Sequence, residues 1–248
     1  NLAKGNTTTL AAVGQAVPIS TQITALFNRN TNYAQFLVTA IVPAIWQICV
    51  VVSTILILAA HFRLYGNGNN SFAFLGDRPF TRLSKILGQY IPLFMAQGAL
   101  FLIWFYLLLD WPMEGSYVVM LLAQFVTTIA CIIMGALFFF LSMDPARAMS
   151  FAGAFTAPSF AFMGITFPVS DMNALAHAWR GLLPITHYIE VQVDQASYGA
   201  SAAQSIGSLW PMIGYIIPLL MTAALMAKHR NTALKNVTSS TSSKQEAV

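Results

Sequence analysis

Residues 36–61 read FLVTAIVPAIWQICVVVSTILILAAH, with no Asp, Glu, Lys or Arg. A run of about 20 apolar residues is what a helix needs to cross a hydrocarbon layer about 30 Å thick. Inside that layer no water bonds the backbone, so every N–H and C=O must find a partner within the protein. A run this long therefore forces a helix. The same signal recurs at 88–109, 117–142, 149–167 and 208–227. The fourth of these is short and is interrupted by Pro158 and Gly164. The expected class is an all-α membrane protein with about five transmembrane helices, plus short interfacial or re-entrant pieces. Composition agrees: 57% of residues are hydrophobic and only 8% charged, against roughly a quarter charged in soluble domains.

The segments between the runs have distinct characters. Residues 1–32 are small and polar and read as the end of an extracytoplasmic region. In 62–87 a turn-rich stretch, with Gly66 and Gly68 among asparagines, leads to Pro79, a residue suited to the first turn of a helix. Phe80, Leu83 and Leu87 then share one face, with Arg82 and Lys85 elsewhere. That pattern predicts an amphipathic helix on the membrane surface. Residues 168–207 are too polar to span. Ser170 is a candidate cap for a helix over 171–182, Pro184 ends it, and a second piece from about 185 to 198 stops at Gly199. From 231 to 248 the chain is rich in Ser and Thr and reads as a disordered tail.

Charge orients the bundle. With residue 1 outside, Arg63, Arg78, Arg82, Lys85, Arg147, Lys228, Arg230, Lys235 and Lys244 fall inside, and only Lys4, Arg29 and Arg180 outside. Basic residues gather on the cytoplasmic side of membrane proteins, so the C-terminus is expected to be cytoplasmic. The same rule accounts for the formal charge of +4. Nucleic-acid binding is not expected, because no cluster of Lys and Arg with interleaved aromatics is present.

Chemistry-bearing motifs are sparse. No run carries a charge near its centre, where an ion or proton path would place one. The uncharged polar residues within the runs include Gln47, Ser53, Gln97, Gln124, Thr127 and Thr128, suited to bonds between helices. Cys49 and Cys131 both sit in apolar surroundings and read as small packing residues. His187, Glu190 and Asp194 lie at helical spacing, and a membrane-embedded enzyme built on them is one alternative. A non-catalytic membrane scaffold or assembly protein is another. No phosphate-binding loop is present, since Gly66 and Gly68 are not followed by Lys-Ser/Thr.

Three segments carry a family resemblance: ALFNRNTNYAQF (25–36), GDRPFTRLSKILGQYIP (76–92) and GITFPVSDMNALAHAWRGLLPITHYIEVQVDQASYG (164–199). With the order of spans, they resemble the type-2 ABC exporter permeases, in particular the bacterial subgroup with a large periplasmic domain after a first helix. The resemblance implies that a leading helix and most of that domain precede residue 1. It implies a multi-pass protein of the bacterial inner membrane, with residues 33–230 as the transmembrane domain. It implies partners: a cytoplasmic ABC ATPase, a second permease copy or paralogue, the lipid bilayer, and room for a periplasmic adaptor. ATP would be bound and hydrolysed by the ATPase, with no cofactor or metal on this chain and no catalytic residue in it. Arg63, Asp77, Arg78 and Arg82 fall in the segment that contacts the ATPase, although HFRLYGNGNN stands where many relatives carry Glu-x-Gly-Thr. Pro168, Pro184, Thr186, His187 and Tyr188 fall in an outer gate.

Overall fold

The computed structural model describes residues 33–65 and 78–245, and side chains as far as residue 232. Four helical stretches are long and apolar enough to cross a membrane: Tyr33–Tyr65, Pro79–Leu108, Tyr117–Ser142 and Ala202–Thr232. Helix α1 spans Tyr33–Tyr65. Helix α2 (Pro79–Gly88) leads through a two-residue turn into α3 (Ile91–Ile103), which widens into a π-helical turn at Trp104–Leu108. Helix α4 is Tyr117–Ser142 and α5 is Pro145–Thr156. Short helices follow: α6 (Ser159–Phe162), α7 (Ala174–Leu182), α8 (Pro184–Tyr198) and α9 (Ala202–Gly207). A 3-10 turn at Trp210–Tyr215 then opens α10 (Ile216–Gln245). No strand occurs among the described residues, and the all-α membrane class stands.

Helix α4 is the hub, with α1, α3, α5, α8 and α10 packed around it. Lipid tails are as apolar as leucine, so close van der Waals fit holds such helices together. The seam between α1 and α4 shows how. A Cβ on Gly135 would lie 2.8 Å from the Val51 carbonyl oxygen and 2.8 Å from Thr54 Cβ; only glycine admits that approach. Nearer the helix ends, Phe62 meets Phe139 edge-on at 6.1 Å. The outward face of α3 exposes Leu93, Leu100, Trp104, Leu107 and Leu108, an apolar surface suited to lipid.

Three stretches differ from the sequence reading. The 149–167 run is not one continuous helix. Helix α5 ends at Thr156 and the four-residue α6 follows Pro158. Pro158 has no N–H for the Ala154 carbonyl, and its ring crowds that turn. Thr156 and Ser159 also turn their hydroxyls back onto the Ala152 and Thr156 carbonyls, which bends helices. Second, Asn173 rather than Ser170 caps α7, its Oδ1 accepting from Ala176 N–H at 2.8 Å. Third, helical backbone continues through the stretch read as a disordered tail, to Gln245. After Pro218 the sequence contains no Gly or Pro to stop it.

The Gly135→Ala variant is expected to lose about 1–3 kcal/mol, the usual cost of overpacking. Gly153→Ala, where nothing lies within 4 Å of the added carbon, is expected to hold or raise stability, since alanine is favoured in helices. Thermal unfolding of the two variants in detergent checks the contrast.

Candidate functional site

The segment read as interfacial is built into the bundle. Helix α8 buries Ile185, Thr186, His187, Tyr188, Val191, Gln192 and Gln195 against α1 and α4. It forms a hairpin with α7 whose tip, Leu183–Pro184, lies level with Gln47, near the middle of the apolar run of α1. Two helix ends therefore meet in the interior, and helix ends leave backbone groups without intrahelical partners.

The side chains around the tip answer that problem. The Thr186 hydroxyl lies 2.8 Å from the Arg180 carbonyl and 2.7 Å from that of Leu183. His187 Nε2 lies 3.2 Å from the Gly181 carbonyl, and a carbonyl only accepts, so the proton belongs on Nε2. The Tyr215 hydroxyl donates to the Leu182 carbonyl. The carbonyls of 180 to 183, at the end of α7, thus all have side-chain partners. At the start of α8, Pro184 has no N–H to satisfy, and Ile185 N–H donates to Gln47 Oε1 at 3.0 Å.

Further along, α8 is tied to its neighbours by amides. Gln124 Nε2 donates to the Gly98 carbonyl at 2.9 Å and to the Tyr188 hydroxyl at 3.3 Å. A Cβ on Gly98 would sit 2.9 Å from that amide. The Tyr188 ring packs against Trp46 and Phe101. Gln192 Nε2 donates to the Thr39 carbonyl at 2.8 Å. That carbonyl is free because Pro43, four residues on, has no N–H to give it. Gln195 Oε1 accepts from Ser116 N–H at 2.7 Å, which anchors the C-terminal end of α8 to the turn before α4. Gly199, at φ +57°, closes the helix as a left-handed C-terminal glycine does.

Charge enters in one place. Arg180 and Glu190 pair at 2.6 Å across the hairpin, with Glu190 about one-third exposed. His187 Nδ1 lies 4.0 Å from the same carboxylate. Burial, then the neighbouring Glu190, push the Asp194 carboxyl above its ordinary pKa. Gly164, at φ +87°, leaves room for Arg180, whose guanidinium would lie 3.3 Å from a Cβ there.

Of the residues singled out in the sequence, Pro184, Thr186, His187 and Tyr188 converge at the hairpin and are all buried. Pro168 is exposed in the loop before it. Arg63, Arg78 and Arg82 are exposed at the opposite end, where α1 finishes and α2 begins, and Asp77 lies outside the described residues. Gln47 and Gln124 do bond between helices. Sequence reasoning missed Arg180, Gln192, Gln195 and Tyr215. One signal was available: Pro43 in a spanning helix leaves a carbonyl that some donor must meet.

The family described as ABC-2 family transporter protein matches residues 1–227. No curated protein and no solved structure matches significantly. The chain belongs to the ABC-2 transporter family, and is a membrane-embedded permease subunit of an ABC transporter.

Replacing Thr186 with Val removes a buried hydroxyl that bonds two carbonyls, each of which keeps one backbone N–H, and a lost hydrogen bond of this kind costs about 0.5–1.5 kcal/mol. Thr186→Val is expected to lower the unfolding temperature, with Thr186→Ser near wild type. A denaturation series on the three proteins checks this.

Proposed function

We propose that the chain is the permease of an ATP-driven exporter, working as a pair of permeases with two cytoplasmic ATPase subunits docked on the segment around 62–80. The reading is supported by the family match together with the α7–α8 hairpin. A hairpin that enters the bundle to mid-depth, held by a mostly buried ion pair and by side-chain bonds to carbonyls, is an element that can be withdrawn and reseated. On this reading it is the outer gate, with Pro184, Thr186, His187 and Tyr188 at and just beyond its tip and Pro168 in the loop that leads into it. The break between Thr156 and Gly164 supplies compliance.

Polarity supports the orientation. Arg63, Arg78, Arg82, Lys85, Arg147, Lys228 and Arg230 share one end of the bundle, which the positive-inside tendency assigns to the cytoplasm of a bacterial inner membrane. The exposed cations of α2 are then placed to meet an ATPase. ATP binding would draw the ATPases together, and the push on α2 would pass into α3. The chemistry of ATP lies wholly with the partner.

Two variants separate docking from gating. Arg78→Glu with Arg82→Glu is expected to cut co-purification of the ATPase by about tenfold, equivalent to about 1.4 kcal/mol. Arg180→Met is expected to leave co-purification intact and to lower ATP-dependent export in vesicles. Undiminished co-purification after both charge reversals would sink the docking site. Normal export by Arg180→Met would sink the gate.

A further inference from the structure

A cavity of about 240 Å³ opens between α2, the start of α3, α4 and α10. Its walls are Leu83, Leu87, Ile91, Ile132, Ala136 and Leu219, with Ser84 and Thr222 among the few polar groups. Thr222 spends its hydroxyl on the Pro218 carbonyl at 2.8 Å. An apolar cavity of about 150 Å³ stays dry and takes up benzene; this one is larger and offers water few partners. In a bilayer, what enters such a space is hydrocarbon.

Charge identifies the kind of hydrocarbon. Arg230 lies eleven residues beyond Leu219, three helical turns, and so on the same side of α10, about 12 Å past Thr222. Its Nε is buried and has no hydrogen-bond partner. Lys85 is exposed next to Ser84 at the cavity rim, on a side chain long enough to reach along that rim. Both ion-pair contacts among the described residues involve Glu190, at the hairpin. Among the described residues neither Arg230 nor Lys85 has an acidic partner, and Asp144, the one described acid at this end, caps α5 through Arg147 N–H.

We propose that this groove binds an anionic phospholipid of the adjoining leaflet, one acyl chain lying between α2, α4 and α10 and the phosphate meeting Arg230 and Lys85. The site is separate from the hairpin and does not depend on the transport reading. A lipid seated there braces α2 against α4 and α10, where the chain has only a cavity.

Native mass spectrometry of the full chain tests it, with phosphatidylglycerol and phosphatidylcholine as probes. The wild type is expected to retain phosphatidylglycerol preferentially, each cation near the phosphate contributing about a fivefold preference. Arg230→Gln with Lys85→Gln should erase most of that preference. The charge-matched pair Lys228→Gln with Arg147→Gln should keep it, because Lys228 points to the opposite side of α10. Ala136→Leu, filling the cavity, should lower retention of both lipids, and Ser84→Trp does the same from an exposed position should the core variant fail to fold. Equal retention of the two lipids by wild type overturns the proposal. So does an equal loss in the two charge pairs, which would mean diffuse attraction by the whole basic end. Loss of a dimer in the filled variants with lipid retention unchanged overturns it in favour of a second copy in the groove.

Discussion

The backbone of a protein in hydrocarbon has no water to fall back on, and the tip of the α7–α8 hairpin is where this chain meets that constraint most severely. A helix end and a helix start face each other beside Gln47. Thr186, His187 and Tyr215 supply donors to the carbonyls of α7, Gln47 supplies the acceptor for α8, and Pro184 removes one donor from the problem. The run Pro-Ile-Thr-His is, physically, a device for ending one helix and starting another without solvent. Its position fixes much else. Gln47 must lie on the inner face of α1, Gln124 must reach across to Tyr188, and Gly98 must be small enough to let it.

Charge is distributed by the same logic. The middle of the bundle holds amides and hydroxyls, each able to share a proton with a neighbouring carbonyl at modest cost. Full charges stay at the ends, with Arg180 and Glu190 as the inward exception. A buried ion pair is weak evidence for stability, since desolvation offsets much of the attraction. Here the pair joins the two arms of one hairpin, so its effect is to fix how they lie against each other.

How legible was this in the sequence? Four of the five expected spans were, because a long charge-free run without an internal break has one outcome in lipid. So were Pro79 at the start of α2 and Gly199 at the end of α8, where backbone geometry favours one residue type. The burial of α8 was not. Thr, His, Glu, Gln and Asp read as a wet surface, and only their partners show otherwise. Those partners, the Thr39 carbonyl and the Gln47 amide among them, lie more than a hundred residues away in the chain. Pro158 was visible as an interruption, but whether it kinks or divides a helix depends on the hydroxyls beside it. Ser170 and Asn173 are both competent caps, and the 3-10 turn at Val169–Asp171 decided between them.

The arrangement also bears on how a push at one end reaches the other. Helices α2 and α3 are separated by a turn of two residues, so α2 cannot tilt without dragging the start of α3. Helix α3 in turn holds two neighbours through its backbone: the Phe94 carbonyl takes the Trp46 indole at 3.1 Å, and the Gly98 carbonyl takes Gln124. Gln124 holds Tyr188, and Tyr188 belongs to the hairpin. A displacement of α3 by an ångström would lengthen these bonds toward the point where they no longer count. Two donors, the Trp46 indole and the Gln124 amide, would then stand unmet in a medium without water. The least costly response is for the elements to move together, and the hairpin, tied to α1 and α4 by side-chain bonds as well as by packing, moves with them. Under the proposed reading, the polar groups that make the buried hairpin tolerable are the same ones that make it respond.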